Sequence, residues 1–155
     1  MNHDATTVVV SLPDAAATRE LGATVAKACA PGTIVLLRGP LGAGKTTFAD
    51  GFAQALGAGK ATSPTFVIAH AHESGRIPLW HLDLYRMEDE RQVAELDLAQ
   101  YVSDGAITLC EWPERAQATW PADVLAVDFS IEGAGRRAEL SSGGARSQAI
   151  LDALR

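Results

Sequence analysis

Gly39-Pro40-Leu41-Gly42-Ala43-Gly44-Lys45-Thr46 carries the spacing G-x-x-x-x-G-K-[ST]. A loop that wraps phosphates closely needs glycines, because its backbone conformations leave no room for side chains and its amides must point inward. Lys45 is placed to reach the β and γ phosphates as a point charge, and the Thr46 hydroxyl to coordinate Mg2+. Residues 33–38, just before the loop, form a nearly continuous apolar run, as in a strand covered on both faces. Residues 46–56, just after it, read as a helix closed by Gly57-Ala58-Gly59, whose N-terminus adds a positive dipole end to the loop.

The pattern continues on both sides. Residues 6–12 are β-branched and stop at Pro13, and Asp14 caps a helix that runs to about Cys29 with Leu21, Val25 and Ala28 at helical spacing. Downstream, Pro64 keeps Ser63 extended within Ser63-Pro64-Thr65-Phe66. Residues 67–73 and 77–83 read as strands of a hairpin around Ser74-Gly75-Arg76, and 89–96 as a short polar helix. The apolar run 106–110 ends on Glu111. Residues 124–131 and 136–141 flank a second hairpin at Glu132-Gly133-Ala134-Gly135, and 147–154 suit a terminal helix. Parallel crossovers early and hairpins late predict an α/β fold, a P-loop NTPase-like three-layer arrangement with a mixed β-sheet and helices on its faces, in one domain over 1–155.

Composition narrows the function classes. The chain has 155 residues, 13 Lys and Arg against 19 Asp and Glu, and a formal net charge of -6. It lacks the overall basic character of a direct nucleic-acid binder. Cys29 and Cys110 sit in apolar stretches without Cys-x-x-Cys spacing and read as buried thiols of a reducing compartment. No run approaches the length that spans a bilayer and no leader is evident, so a cytoplasmic location without membrane attachment is expected.

Phosphoryl transfer needs an acid near the metal and a group that orients the attacking water. Asp83 and Glu111 both end apolar runs, and an acid at the carboxyl end of a parallel strand faces the crevice that the phosphate loop faces. Glu111 is favoured as the metal ligand because its strand reads as the more central; the alternative for either acid is a solvated strand end. Thr65, stiffened by Pro64, is a candidate switch contact to the γ phosphate or to water, with a plain turn threonine as the competing account. His70 with His72, and His81 with Asp83, share strand faces, but a polar solvated hairpin face accounts for them better than zinc does. Trp80, Trp112 and Trp120 read as packing residues. Asn-Lys-x-Asp is absent from the sequence, which favours ATP over GTP.

Four motifs in order, Gly39-Pro-Leu-Gly-Ala-Gly-Lys-Thr-Thr-Phe48, Ser63-Pro-Thr-Phe66, His81-Leu-Asp-Leu-Tyr-Arg86 and Glu111-Trp-Pro113, resemble those of the TsaE family over about residues 12–137. The resemblance implies an ATPase that supports threonylcarbamoyl transfer to adenosine beside the anticodon of tRNA. ATP and Mg2+ would be its cofactors and TsaD and TsaB its protein partners, with tRNA reached indirectly through them. It implies that Thr46 and Glu111 hold Mg2+, that Asp83 and Thr65 serve water positioning and switching alongside Lys45, and that nucleotide is bound by Leu41, Gly42, Ala43, Gly44, Lys45, Thr46 and Thr47. Two further nucleotide contacts map to Ala15 and Gly135, where Ala15 departs from the longer polar residue that relatives can carry. Arg86 and residues 89–96, just beyond the Asp83 strand, are suggested as part of the partner-sensing face, with plain surface solvation as the favoured alternative. The competing functions are a small-molecule kinase using the same loop, for which the segment after Asp83 offers Arg86 and Arg91 but no long arginine-rich lid, and a nucleotide-gated binding module.

Overall fold

The computed structural model describes residues 6–60, 67–71, 77–86 and 105–155. Thr65, His72, the turn at 74–76 and the expected helix at 89–96 lie outside them. Eight strands form one sheet: β1 (Thr7–Leu12), β2 (Ile34–Arg38), β3 (Gly59–Lys60), β4 (Val67–Ala71), β5 (Leu79–Asp83), β6 (Ile107–Glu111), β7 (Leu125–Glu132) and β8 (Gly135–Ser142). Their order is β1-β8-β7-β2-β6-β5-β4-β3. The central pairs β7 with β2, β2 with β6 and β6 with β5 are parallel, and antiparallel pairs extend the sheet at both edges.

The early parallel crossover is present but not between neighbours: β1 lies at the far edge, hydrogen-bonded antiparallel to β8, and runs parallel to β2 with two strands between them. The hairpin strands expected over 67–83 are present as the antiparallel pair β4 and β5, and β3 extends that edge antiparallel to β4. The short strand β3 carries no apolar run and was not anticipated.

Helices α1 (Ala15–Ala28), α2 (Lys45–Ala55) and α3 (Ala145–Leu154) pack on one face. Strand alternation assigns Val35 and Leu37 of β2, with Ile107 and Leu109 of β6, to that helical face. It assigns Ile34, Leu36 and Cys110 to the other, where a 3-10 segment, Pro113–Thr119, with Trp80, Trp112 and Trp120 makes the third layer. Helices were expected on both faces; among the described residues a 3-10 segment occupies the second. Burial pushes the Cys29 thiol up to about 12 and raises Cys110 as well, so both are held protonated at neutral pH.

Helices α1 and α2 approach closely because each presents a glycine to the other. A Cβ at Gly22 would fall onto the carbonyl oxygen of Phe48, and one at Gly51 onto that of Arg19. That approach holds the start of α2, and with it the phosphate loop, against the sheet.

Helix α3 begins two residues earlier than periodicity predicts because its cap comes from elsewhere in the chain. The Asp123 carboxylate accepts from the amides of Arg146 and Ser147 at 2.9 and 3.1 Å and from the Ser147 hydroxyl at 2.6 Å. Burial works to raise the Asp123 pKa, but the Ser147 bonds, the Arg146 amide and the Arg146 charge outweigh it and hold the carboxyl below its ordinary value. A depressed folded-state pKa contributes stability that is complete above the unfolded value of about 3.9 and is lost as pH falls through the folded value. Asp123→Ala is therefore expected to cost about 1 kcal/mol at neutral pH. Urea unfolding of wild type and variant from pH 7 to pH 3 checks this, and a gap that fails to narrow below about pH 4 contradicts it.

Candidate active site

The phosphate loop connects the carboxyl end of β2 to the amino end of α2. Gly39, Gly42 and Gly44 have φ of 138°, 79° and 115°. At Gly39 a Cβ would also meet the Phe129 carbonyl oxygen at 2.6 Å, so the loop is both left-handed and pressed against β7 there. Ala43 is buried beneath the loop, its amide bonded to the Pro40 carbonyl, while Leu41 is 67% exposed at the tip.

Lys45 opens α2 and is only 4% exposed. Its Nζ donates to the Gly39 carbonyl and sits over the Trp112 ring, 3.5 Å from the centroid. Burial lowers the Lys45 pKa, and the charges of Glu114, Glu111 and Asp83 pull it back up. Trp112 adopts φ 59° and ψ 48°, the only positive φ of a non-glycine among the described residues, and its indole lies 4.8 Å from the Tyr85 ring. A backbone held in that region costs about 1–3 kcal/mol and is a mark of functional sites.

Strand parity explains how both acids reach this point. Asp83 and Glu111 are in register on adjacent parallel strands and share the helical face with Leu79, Ile107 and Leu109. β6 is flanked by β2 and β5, so Glu111 is the nearer of the two acids to the loop strand, and it is 3% exposed. Its Oε1 accepts from the Thr46 hydroxyl at 3.2 Å, and its Oε2 lies 2.9 Å from His81 Nε2. Asp83, half-buried, accepts through Oδ1 from the Tyr85 amide at 3.0 Å.

These groups border a cavity of about 330 Å3 between the loop, the ends of β5 and β6, and the β7–β8 turn. Its wall includes Ala15, Leu41, Gly42, Gly44, Lys45, Thr46, Thr47, Asp83, Glu111 and Gly135 among the residues named from sequence; Ala43 is buried and does not line it. Ala15 and Gly135 border the same cavity because β1 pairs with β8, with Leu12 opposite Arg136. The backbone of Arg86 ends a 3-10 turn, Leu84–Arg86, directly after Asp83.

Three residues have contacts that sequence reasoning did not foresee. Arg136 donates from Nε to the Gly42 carbonyl at 2.9 Å and from Nη1 to the Gly135 carbonyl at 2.8 Å, tying the loop to the β7–β8 turn. The signal was there, a cation directly after a hairpin glycine, but not its destination. Trp112 packs against the second core cluster as expected and in addition caps Lys45. His81, set aside as solvated hairpin polarity, is buried against Glu111.

A family model described as "Threonylcarbamoyl adenosine biosynthesis protein TsaE" matches residues 12–138. The chain belongs to the TsaE family. Relatives called tRNA threonylcarbamoyladenosine biosynthesis protein TsaE include one from Bacillus subtilis, 37% identical over 77% of this chain and 75% of its own length. A second, from Synechocystis, is 44% identical over 67% and 69%, and a third, from Streptomyces coelicolor, is 46% identical over 62% and 67%. Among solved structures, YdiB of Bacillus subtilis superposes with a TM-score of 0.80 at 27% identity, covering 96% of this chain and 93% of that one. TsaE proteins are thus similar to this chain from before α1 to β8, the span that contains the cavity. No helix among the described residues is long and apolar enough to cross a membrane.

Proposed function

We propose that this protein is a Mg2+-dependent ATPase that supports threonylcarbamoyl transfer to adenosine in tRNA by acting on a complex of TsaD and TsaB. The observation that carries the ATPase reading is the meeting of Lys45, Thr46 and Glu111 at one end of the glycine loop, two of them buried, with a cavity in front of them. Their chemistry fits the cation. Mg2+ prefers oxygen donors, takes one or two carboxylates together with substrate phosphates and keeps several waters, and the structure offers one hydroxyl and one carboxylate rather than a full cage. The names of the relatives support the tRNA-modification role.

In this reading the loop amides and Lys45 bind the phosphates and match their charge with preorganised donors. Thr46 Oγ1 and Glu111 would hold Mg2+, which supplies neutralisation of the phosphate oxygens as charge shifts to the leaving group. Asp83, at the same strand level as Glu111, accepts a hydrogen bond from the attacking water and orients it toward the γ phosphorus. Thr65 serves as the switch contact. Trp112, Tyr85, Ala15 and Gly135 also border the cavity.

The test is phosphate release from ATP by the purified chain with and without TsaD and TsaB. Stimulation by the partners is expected. An equal slow rate in every condition contradicts action on that complex, and transfer of phosphate to an added metabolite points to a kinase.

A further inference from the structure

Glu111 has two carboxylate oxygens, and each has a different partner. Oε1 faces Thr46, the other oxygen donor of the proposed cation site, while Oε2 faces His81 Nε2 at 2.9 Å. His81 and Glu111 are each only 3% exposed, and the cavity wall includes Glu111 but not His81. His81 stands opposite Leu109 on the neighbouring parallel strand, two residues before the Asp83–Glu111 pair and on the same face, so the sheet register brings imidazole and carboxylate together. A carboxylate accepts but does not donate, so Nε2 carries the proton in this bond. The terminal carboxyl torsion of glutamate is otherwise broad and two-fold, and an N–H on the outer oxygen removes that freedom.

We infer that His81 is the positioning residue for the metal-binding carboxylate: its Nε2–H holds Glu111 Oε2 and so aims Oε1 at the Mg2+ of a bound nucleotide. This rests on the ATPase reading above. His81 acts on the strength of Mg2+ binding and leaves the binding of nucleotide itself to the loop. Groups that orient a metal ligand from behind commonly change metal affinity 10- to 100-fold when removed.

The experiment is calorimetric titration of the full chain with a non-hydrolysable ATP analogue, in EDTA and at a series of Mg2+ concentrations, for wild type, His81→Phe, His81→Asn and His81→Gln. Affinity in EDTA is expected to stay within about twofold of wild type in each variant, since the loop is untouched. The Mg2+ concentration at which affinity rises to half its maximum is expected to shift upward by about 10- to 100-fold in His81→Phe and His81→Asn. His81→Gln, whose amide nitrogen reaches farther, is expected to restore most of the shift. Should His81→Phe fail to fold, the contrast between Asn and Gln decides. An unchanged Mg2+ midpoint, or an equal loss of affinity with and without Mg2+, overturns the inference while leaving the ATPase reading intact. Wild type that binds no analogue in either condition overturns both.

Discussion

Lys45→Ala is expected to lower ATP hydrolysis by about 100- to 1000-fold, with or without partners, the scale on which a preorganised charge-stabilising donor contributes to catalysis. The size follows from where the ammonium lies. At 4% exposure, between the Gly39 carbonyl and the face of Trp112, it is largely withdrawn from water, so its attraction to phosphate is screened far less than that of a surface lysine. Its desolvation, which lowers its pKa, has already occurred in folding, and the three nearby carboxylates keep the charge on it. Lys45→Arg is not expected to rescue the activity, because a planar guanidinium does not fit the space that an ammonium takes between the Gly39 carbonyl and the Trp112 ring. Phosphate release and far-UV circular dichroism on the same preparations check this. A folded Lys45→Ala protein within about threefold of wild type, a difference of well under 1 kcal/mol in the barrier, would mean that hydrolysis does not run through this loop.

Phe48→Ala is expected to cost about 3–5 kcal/mol of stability, a large share of the roughly 5–15 kcal/mol that a domain holds in total. Phe48 is fully buried in the first turn of α2, where its amide closes the first helical bond to the Gly44 carbonyl at 2.9 Å. Its ring meets Phe52 at 6.1 Å and the edge of Phe129 at 5.5 Å. Phe129 in turn touches Gly39 and would contact a side chain at Gly44. The void left by Phe48 thus opens directly beneath the phosphate loop, in a crossing of α1 and α2 whose glycine contacts leave little freedom to close it. Denaturant unfolding gives the measurement, and a loss below about 1 kcal/mol would show that the aromatic cluster repacks. Nucleotide affinity is expected to fall in the same variant, since the loop loses its floor.

The phosphate loop, the strand before it, the helix after it and the acid at the end of β6 were all legible in sequence because each is specified locally. Glycine spacing meets a backbone requirement, an apolar run of strand length meets the requirement of burial on both faces, and an acid ending such a run is placed by the period of two. The favoured role of Glu111 over Asp83 also came from a local property, the cleaner apolar run, which the order β2-β6-β5 matches.

What was not legible depends on residues distant in sequence. Arg136 reaches Gly42 because β7 pairs with both β8 and the loop strand β2, and Ala15 reaches the level of Gly135 because the first strand pairs with the last, registers that no strand encodes alone. His81 looked like solvated polarity because a histidine on an alternating strand reads the same whether its face meets water or a buried carboxylate; its neighbour on β6, Glu111, settled which. Trp112 packs as its residue type suggests, but only its left-handed backbone turns it over Lys45. Residue types and short spacings prescribe a phosphate cradle with an acid near it, since local backbone geometry carries that information. The partners that orient the acid, cap the lysine and brace the loop come from strand pairing across the sheet, since such contacts exist only once distant segments are packed side by side.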